Sequence, residues 1–416
     1  MEPIKALLLG AGSRGRFAYG QYAKMNPAML QIAALAEPDP VKRKIIQEEH
    51  NIPSQYVYTD WEEAFTVFPP VSAVIIAMQD NMHFAPILKA MKQNVHILCE
   101  KPIVPTLEEC HTIEKSASGF NKVIMIAHVL KYTLFFSRLK ELITGGRIGK
   151  LIGIDLVENV GHIHISHSFV RGNWRKTPVS APMILAKSCH DMDMLAWLAD
   201  STCESLSSYG RLNYFKEENA PKGAPDRCLD GCPAIDSCPY HAAKIYLGTN
   251  TDWPVNVISS DLSMEGRIKA LSEGPYGKCV FRCDNNVVDH QAVMLNFANG
   301  VTANFTMSGF TMKIHRSIKL FGTTGEISGD MEGNKIVVND FVSGNIETIA
   351  VAQVKGGHAG GDTGFCTDFV RMINGAGGEG RNTLKKSFES HYMAFAAELS
   401  RLEGGRMIKL SEIRSK

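Results

Sequence analysis

Two hydrophobic rhythms divide this chain. Up to about residue 128, short unbroken apolar runs alternate with stretches of helical spacing. Residues 4–9, 30–36, 71–78, 96–100 and 122–127 are such runs, and they read as strands buried on both faces by flanking helices. The segments between them, at 41–50, 84–92 and 106–116, carry apolar positions at helical intervals. Strands alternating with helices predict a parallel sheet in a doubly wound α/β domain, residues 1–128.

The second rhythm has a period of two. Val301, Ala303, Phe305 and Met307 alternate with Thr302, Asn304 and Thr306, the pattern of a sheet with one strongly apolar face. Further strands are predicted at 151–160, 289–297, 318–321 and 335–339. A helix at 134–144 stops at Gly145-Gly146, a good C-terminal signal. Residues 129–416 therefore form a second α/β domain with a large, mostly antiparallel sheet. Its other face is open, to solvent or to another subunit. Gly356 to Gly361 reads as a flexible loop and residues 384–402 as a closing amphipathic helix.

The first strand ends in Gly10-Ala11-Gly12-Ser13-Arg14-Gly15. Glycines at this spacing, after a strand and before a helix, form a dinucleotide cradle. Gly10 makes the tight turn, Gly12 admits a pyrophosphate, and Gly15 lets helix and strand pack closely. Ser13 and Arg14 lie at the helix N-terminus, which offers free N–H groups to phosphate. The second strand ends at Glu37, with Asp39 beyond it. An acid there binds ribose hydroxyls and repels the phosphate of NADP, so NAD is expected in preference to NADP. Lys42 and Arg43, close by, work against that preference.

Ligands of such a sheet bind at the carboxyl ends of its strands. Asp80 and His83 follow the third long apolar run, and Glu100-Lys101-Pro102 follows the fourth. An ammonium at Lys101 can polarise a substrate oxygen beside the nicotinamide, although a solvated surface lysine is the default for any single Lys. In the second domain, Lys187, His190 and Asp191 fall at i, i+3 and i+4 of a predicted helix, with Asp193 three residues past His190. A histidine with carboxylate neighbours can take a hydroxyl proton; a buried structural histidine is the ordinary alternative.

Residues 161–175, between a strand and that helix, are polar and aromatic. Trp174 can stack on a sugar face, while His167, Arg171 and Arg175 can bind hydroxyls or a carboxylate, with Asp191 and Asp193 also assigned to substrate. His162, His164 and His167 invite a metal reading, set aside because alternating histidines on an exposed strand end are common and no acid sits beside them. Near 220–245, Cys228, Cys232 and Cys238 stand close together in a Gly/Pro/Asp-rich insertion. Their spacing suits a structural zinc site, with His241, Cys279 or Cys283 as fourth ligand. Iron–sulfur ligation and three unligated thiols are the other readings.

At 416 residues with 44% hydrophobic and 21% charged content, the chain has room for two well-filled cores. A net charge of +1 gives no field favouring nucleic acid or membrane. No apolar run reaches spanning length and no leader pattern opens the chain, so a cytoplasmic location is expected, with cysteines as thiols or metal ligands.

The glycine loop, Glu37, the Asp80–His83 turn, Glu100-Lys101-Pro102 and the His190–Asp193 segment together resemble the Gfo/Idh/MocA family, as do Gly149 and Gly322-Thr323-Thr324-Gly325-Glu326. The resemblance implies a Rossmann domain, a second domain with a large open sheet, and homo-oligomers (dimers or tetramers). It also implies redox chemistry at hydroxyls of sugars or cyclitols, and Lys101 and His190 match the family's catalytic lysine and histidine. Lys187 is a third catalytic candidate, because many members place an Asp where this chain has Ala186. Asp80 and Gln79 stand where Asn and Pro are common. The cofactor set expected is Gly10, Gly12, Ser13, Arg14, Gly15, Glu37, Asp80, His83, Glu100 and Lys101. Two alternatives to a dehydrogenase remain: a glycosidase using bound NAD for transient oxidation and elimination, and a non-catalytic sensor of NAD and sugar.

Overall fold

The first sheet has six parallel strands: β1 (Ile4–Leu9), β2 (Leu30–Ala36), β3 (Val57–Tyr58), β4 (Ala73–Ile76), β5 (His96–Cys99) and β6 (Ile124–Ile126). Their spatial order is β3-β2-β1-β4-β5-β6, so the winding reverses between β1 and β4, where a crevice opens for ligands. The structure is a computed structural model, and it describes residues 2–354, 357–375 and 381–414. Leu7, Leu9, Val74, Ile76 and Ile97 enter one core while Ala6, Leu8, Ile75 and Leu98 enter another. Burial on both faces is why these strands lack alternation in the sequence.

The second sheet has nine strands: β7 (Leu151–Asn159), β8 (Cys203–Arg211), β9 (His290–Phe297), β10 (Thr302–Ser308), β11 (His315–Gly322), β12 (Gly325–Asp330), β13 (Lys335–Asp340), β14 (Ile346–Ala350) and β15 (Ile408–Lys409). The order is β14-β13-β12-β11-β7-β10-β9-β8-β15. Among the described residues, the β7–β10 pair alone of this sheet is parallel. Phe305 sits opposite Leu156 on one side and Val293 on the other, and all three are buried. The opposite face is open, with Tyr209, Met294, Thr302, Asn304 and Thr306 exposed. Gly149, at φ +69°, packs against the Thr323-Thr324 turn that joins β11 to β12.

Three helices matter for the site: α1 (Cys189–Ala199), α2 (Gly361–Ile373) and α3 (Leu384–Leu402). The latter two return to the first sheet. Phe365, Cys366 and Phe369 of α2 share a core with Ala6, Leu8 and Leu30. His391 of α3 accepts a 2.7 Å hydrogen bond from the Ile103 N–H. Of the predicted loop before α2, Gly356 lies outside the described residues, and residues 357–360 form a tight turn with His358 and Ala359 at positive φ. Among the described residues no helix is long and apolar enough to cross a membrane.

Candidate active site

A cleft of about 340 Å³ opens at the carboxyl ends of β1, β2 and β4, lined by Gly10, Gly12, Ser13, Glu37, Asp80 and Trp174 among others. A larger cavity of about 610 Å³, which includes Lys5, Gln31 and Val71, lies at the amino ends of the same strands, the wrong end for a ligand of this topology. Each glycine of the loop has its own reason. Gly10, at φ +91°, would push a Cβ to 2.6 Å from the Ala77 carbonyl oxygen; a Cβ on Gly15 would collide with the Gly10 carbonyl; Gly12 faces open space. This is a cradle fit for a dinucleotide phosphate.

Glu37 accepts from the Ala11 N–H at 2.6 Å and the Asp39 N–H at 3.0 Å, so its carboxylate lies across the mouth of the glycine loop. Arg43 donates to the carbonyls of Glu37, at 2.6 Å, and Pro38, at 3.0 Å, which engages its charge with main chain. Lys42 lines the cleft and pairs with Asp39 at 3.5 Å. Asp80 accepts from Trp174 Nε1 at 2.9 Å and from Ser180 Oγ at 2.7 Å. Trp174 is thereby placed at the cofactor cleft.

Arg14 lines the cleft as well, and with His83 and Glu100 it ties together the elements around it. Arg14 pairs with Glu100 at 2.5 Å and forks onto both oxygens of Asp362 at 2.8 and 2.9 Å. Tyr19 also donates to Glu100, at 2.5 Å. Burial pushes the Glu100 carboxyl up, but Arg14, Tyr19 and Lys101 outweigh it and hold it below its usual range. His83 has one ring nitrogen 2.8 Å from the Pro102 carbonyl and the other 3.2 Å from that of Met78. These groups fix the peptide that carries Lys101 at the end of β5.

Lys101 donates to the Ala186 carbonyl at 2.8 Å. His190, in the first turn of α1, is 5% exposed, and its Nδ1 has no partner. Burial lowers its pKa well below the histidine range, and Lys101 is the largest of the charges that add to this, ahead of His128 and His358. The lysine from the first domain and the histidine from the second thus converge, with the imidazole held neutral. The His190 ring centroid lies 5.6 Å from that of His128 and 5.8 Å from that of His358. His164 also feels Lys187 and Lys101. His128 and His358 therefore neighbour His190, while the His164 ring packs against Phe169 and Trp253. His128 and His358 are lone histidines in unrelated segments, and no sequence signal joins them to His190.

Lys187 is not on the His190 helix: the chain turns at Ser188, and Lys187 follows a separate short helix, Met183–Ala186. It pairs with the buried Glu158 of β7 at 2.9 Å. Glu158 and Asp191 both bind Arg316 Nε, at 2.7 and 2.8 Å, and Glu158 faces Arg316 in the β7–β11 register. Asp193 pairs with Lys131 at 2.7 Å, both fully buried. Burial raises the Asp193 carboxyl and lowers the Lys131 ammonium. Asp191 and Asp193 thus tie α1 to Arg316 and Lys131 through one oxygen each, while Oδ2 of each has no hydrogen-bond partner among the described residues.

Residues 161–175 differ from expectation. They form no exposed strand end but two helical turns, His162–His164 and the wide turns of Ile165–Arg171, the latter buried throughout. His167 bonds the Tyr246 hydroxyl at 2.9 Å and stacks on Tyr276 at 4.6 Å; burial, then Arg171, push it down to about 4. Arg171 is fully buried against the cysteine-rich insertion. Arg175 pairs with Asp284 at 2.7 Å. These three side chains meet partners in Tyr246, Tyr240, Lys278 and Asp284. In the insertion, Cys228, Cys232 and Cys238 line one small cavity with Cys279 and His241. Cys283 does not line it and donates to the Cys279 carbonyl at 3.3 Å.

Residues 4–128 match the family described as "Oxidoreductase family, NAD-binding Rossmann fold", and residues 140–400 match "Oxidoreductase family, C-terminal alpha/beta domain". The Bacillus subtilis protein YteT is 23% identical over 349 residues, 80% of each chain. Inositol 2-dehydrogenase of Corynebacterium glutamicum is 24% identical over 208 residues, 49% of this chain and 57% of that protein. A levoglucosan dehydrogenase solved with NADH and levoglucosan superposes with a TM-score of 0.71 at 16% identity, over 98% of this chain and 100% of that one.

Proposed function

The chain belongs to the Gfo/Idh/MocA oxidoreductases, with an NAD-binding Rossmann domain and a C-terminal α/β domain, and from that premise we propose that it oxidises a secondary hydroxyl of a sugar, sugar derivative or cyclitol. The observation that carries this reading is the convergence of Lys101 and a neutral His190. NAD, when bound, supplies the group that accepts hydride from the carbinol carbon. Lys101 steadies the charge growing on the substrate oxygen. His190 takes the hydroxyl proton on its imidazole, which burial keeps free of a proton beforehand. Lys187 and Glu158 set the charge around the pocket from the sheet side.

Glu37 across the loop mouth, with Arg43 engaged by main-chain carbonyls, supports NAD over NADP. The relationship to an inositol 2-dehydrogenase supports polyol-like substrates. A second copy of the chain is the partner assigned to the open sheet face, where Tyr209 and Met294 are exposed. The experiment is a screen of NAD reduction against sugars, sugar acids and inositols. Net NADH formation with one class is expected, and its loss in a Lys101→Ala, His190→Ala double variant. Substrate conversion without NADH would replace this reading with internally cycled oxidation and elimination. Tight NAD binding with no conversion of any compound would replace it with a sensor.

A further inference from the structure

Arg171 presents an electrostatic problem. It is fully buried, it is always charged, and among the described residues no carboxylate pairs with it. Its Nε donates to the Lys278 carbonyl at 2.7 Å and its Nη2 to the Tyr240 carbonyl at 2.8 Å. Nη2 also lies 3.6 Å from Cys228 Sγ, the Tyr246 hydroxyl lies close to the guanidinium, and among the described residues Nη1 has no hydrogen-bond partner. A buried cation without a counter-charge carries a heavy desolvation penalty. The missing negative charge must come from what surrounds it, and what surrounds it is sulfur.

Four cysteines share the small cavity that Arg171 lines: Cys228, Cys232, Cys238 and Cys279. The fourth is brought in by an antiparallel bridge between Arg227 and Lys278, with Cys228 N–H donating to the Gly277 carbonyl at 2.9 Å and Cys279 N–H to the Asp226 carbonyl at 2.8 Å. Cys238 interacts electrostatically with Cys228 and Cys232, and Cys279 with Cys228 and Cys238. None of the four is in a disulfide. His241 is not available as a ligand: one ring nitrogen lies 3.0 Å from the Cys228 carbonyl and the other accepts from the Ala243 N–H at 3.3 Å.

The spacing selects the metal. A single tetrahedral zinc, with bonds of about 2.3 Å, draws its sulfurs to roughly 3.8 Å from one another. No three of these sulfurs fall within 4.8 Å of each other. A cubane cluster holds its cysteine sulfurs much farther apart, around a central core. We propose that Cys228, Cys232, Cys238 and Cys279 ligate a [4Fe–4S] cluster, with Arg171 as its buried counter-charge. Four thiolates give such a centre net negative charge in its resting state, which answers Arg171. All four corners are protein-bound, so the cluster is a staple and no electron transfer is asked of it. It ties residues 220–245 to the 277–283 loop and, through Arg171, to the turns that end beside Trp174 and the cofactor cleft.

The test is metal content of the full-length protein purified without oxygen, and again after reconstitution with ferrous iron and sulfide. About four iron and four acid-labile sulfide per chain are expected, with broad visible absorption that dithionite bleaches. Cys279→Ser should lose more than half of the iron and Cys283→Ser should retain it. Arg171→Met should lower cluster content more than Arg171→Lys does. Stoichiometric zinc without sulfide would overturn the cluster in favour of a zinc staple. Failure to bind either metal, with all four thiols open to alkylation in folded protein, would overturn the site itself.

Discussion

Lys101 and Ala186 are joined by a 2.8 Å hydrogen bond from the ammonium to the main-chain carbonyl. A carbonyl supplies direction without charge. The ammonium is therefore held in place at the end of β5 by a partner that brings no counter-charge of its own. This explains how the chain keeps its lysine aimed with no carboxylate at position 186.

Replacing Lys101 with Met is expected to lower kcat by about 10²- to 10⁴-fold, because an interaction strongest at the transition state is lost. The Kd for NAD, measured by fluorescence titration, should change little. An equal loss of NAD affinity would mean that the ammonium serves the cofactor rather than the reaction.

His190 is held neutral by burial and by Lys101, so the acid limb of its pH–rate profile should lie well below pH 6.5. His190→Asn should cost about 10²- to 10⁴-fold in kcat/KM and remove that limb. A limb unchanged in the variant would assign the titration to another group.

Stability should also fall in acid. His167 and His96 are depressed to about 4, whereas an unfolded histidine titrates near 6.5. Between those values the unfolded chain binds more protons than the folded one, so the stabilisation is complete above about pH 6.5 and lost as pH falls toward 4. Each such group contributes a slope of about 1.4 kcal/mol per pH unit at most. Urea unfolding at stepped pH values measures it; a flat profile over this window would contradict the burial of these rings.

Asp362→Asn should destabilise the protein by about 3 kcal/mol, since it leaves the Arg14 fork and the buried Glu100 pair unbalanced. Equilibrium urea midpoints test this, with Glu100→Gln as a second probe of the same network.

Much of this was legible in the chain because certain signals are local. Gly10, Gly12 and Gly15 announce their turn through backbone conformation alone, and the unbroken run at 73–76 announces burial on both faces. β8, CESLSSYGR, alternates mostly serine against few large apolar residues, and β12 has Ile327 as its single large apolar side chain, so neither shows a period. The partners of Asp191 and Asp193 were hidden for another reason. Arg316 and Lys131 lie on other elements, and only tertiary pairing reveals which cation each carboxylate meets. Arg14 reads as a phosphate ligand in its motif, yet its guanidinium meets Asp362, which no short-range pattern connects to it.

Phe365, Cys366 and Phe369, far along the sequence from β1 and β2, pack into the core behind those strands. During synthesis that flank of the nucleotide-binding half therefore stays uncovered until residues 365–369 have been made and have folded back onto it. Support for the cradle's sheet is consequently tied to a segment made long after it, so a chain not yet extended that far offers chaperones a greasy surface.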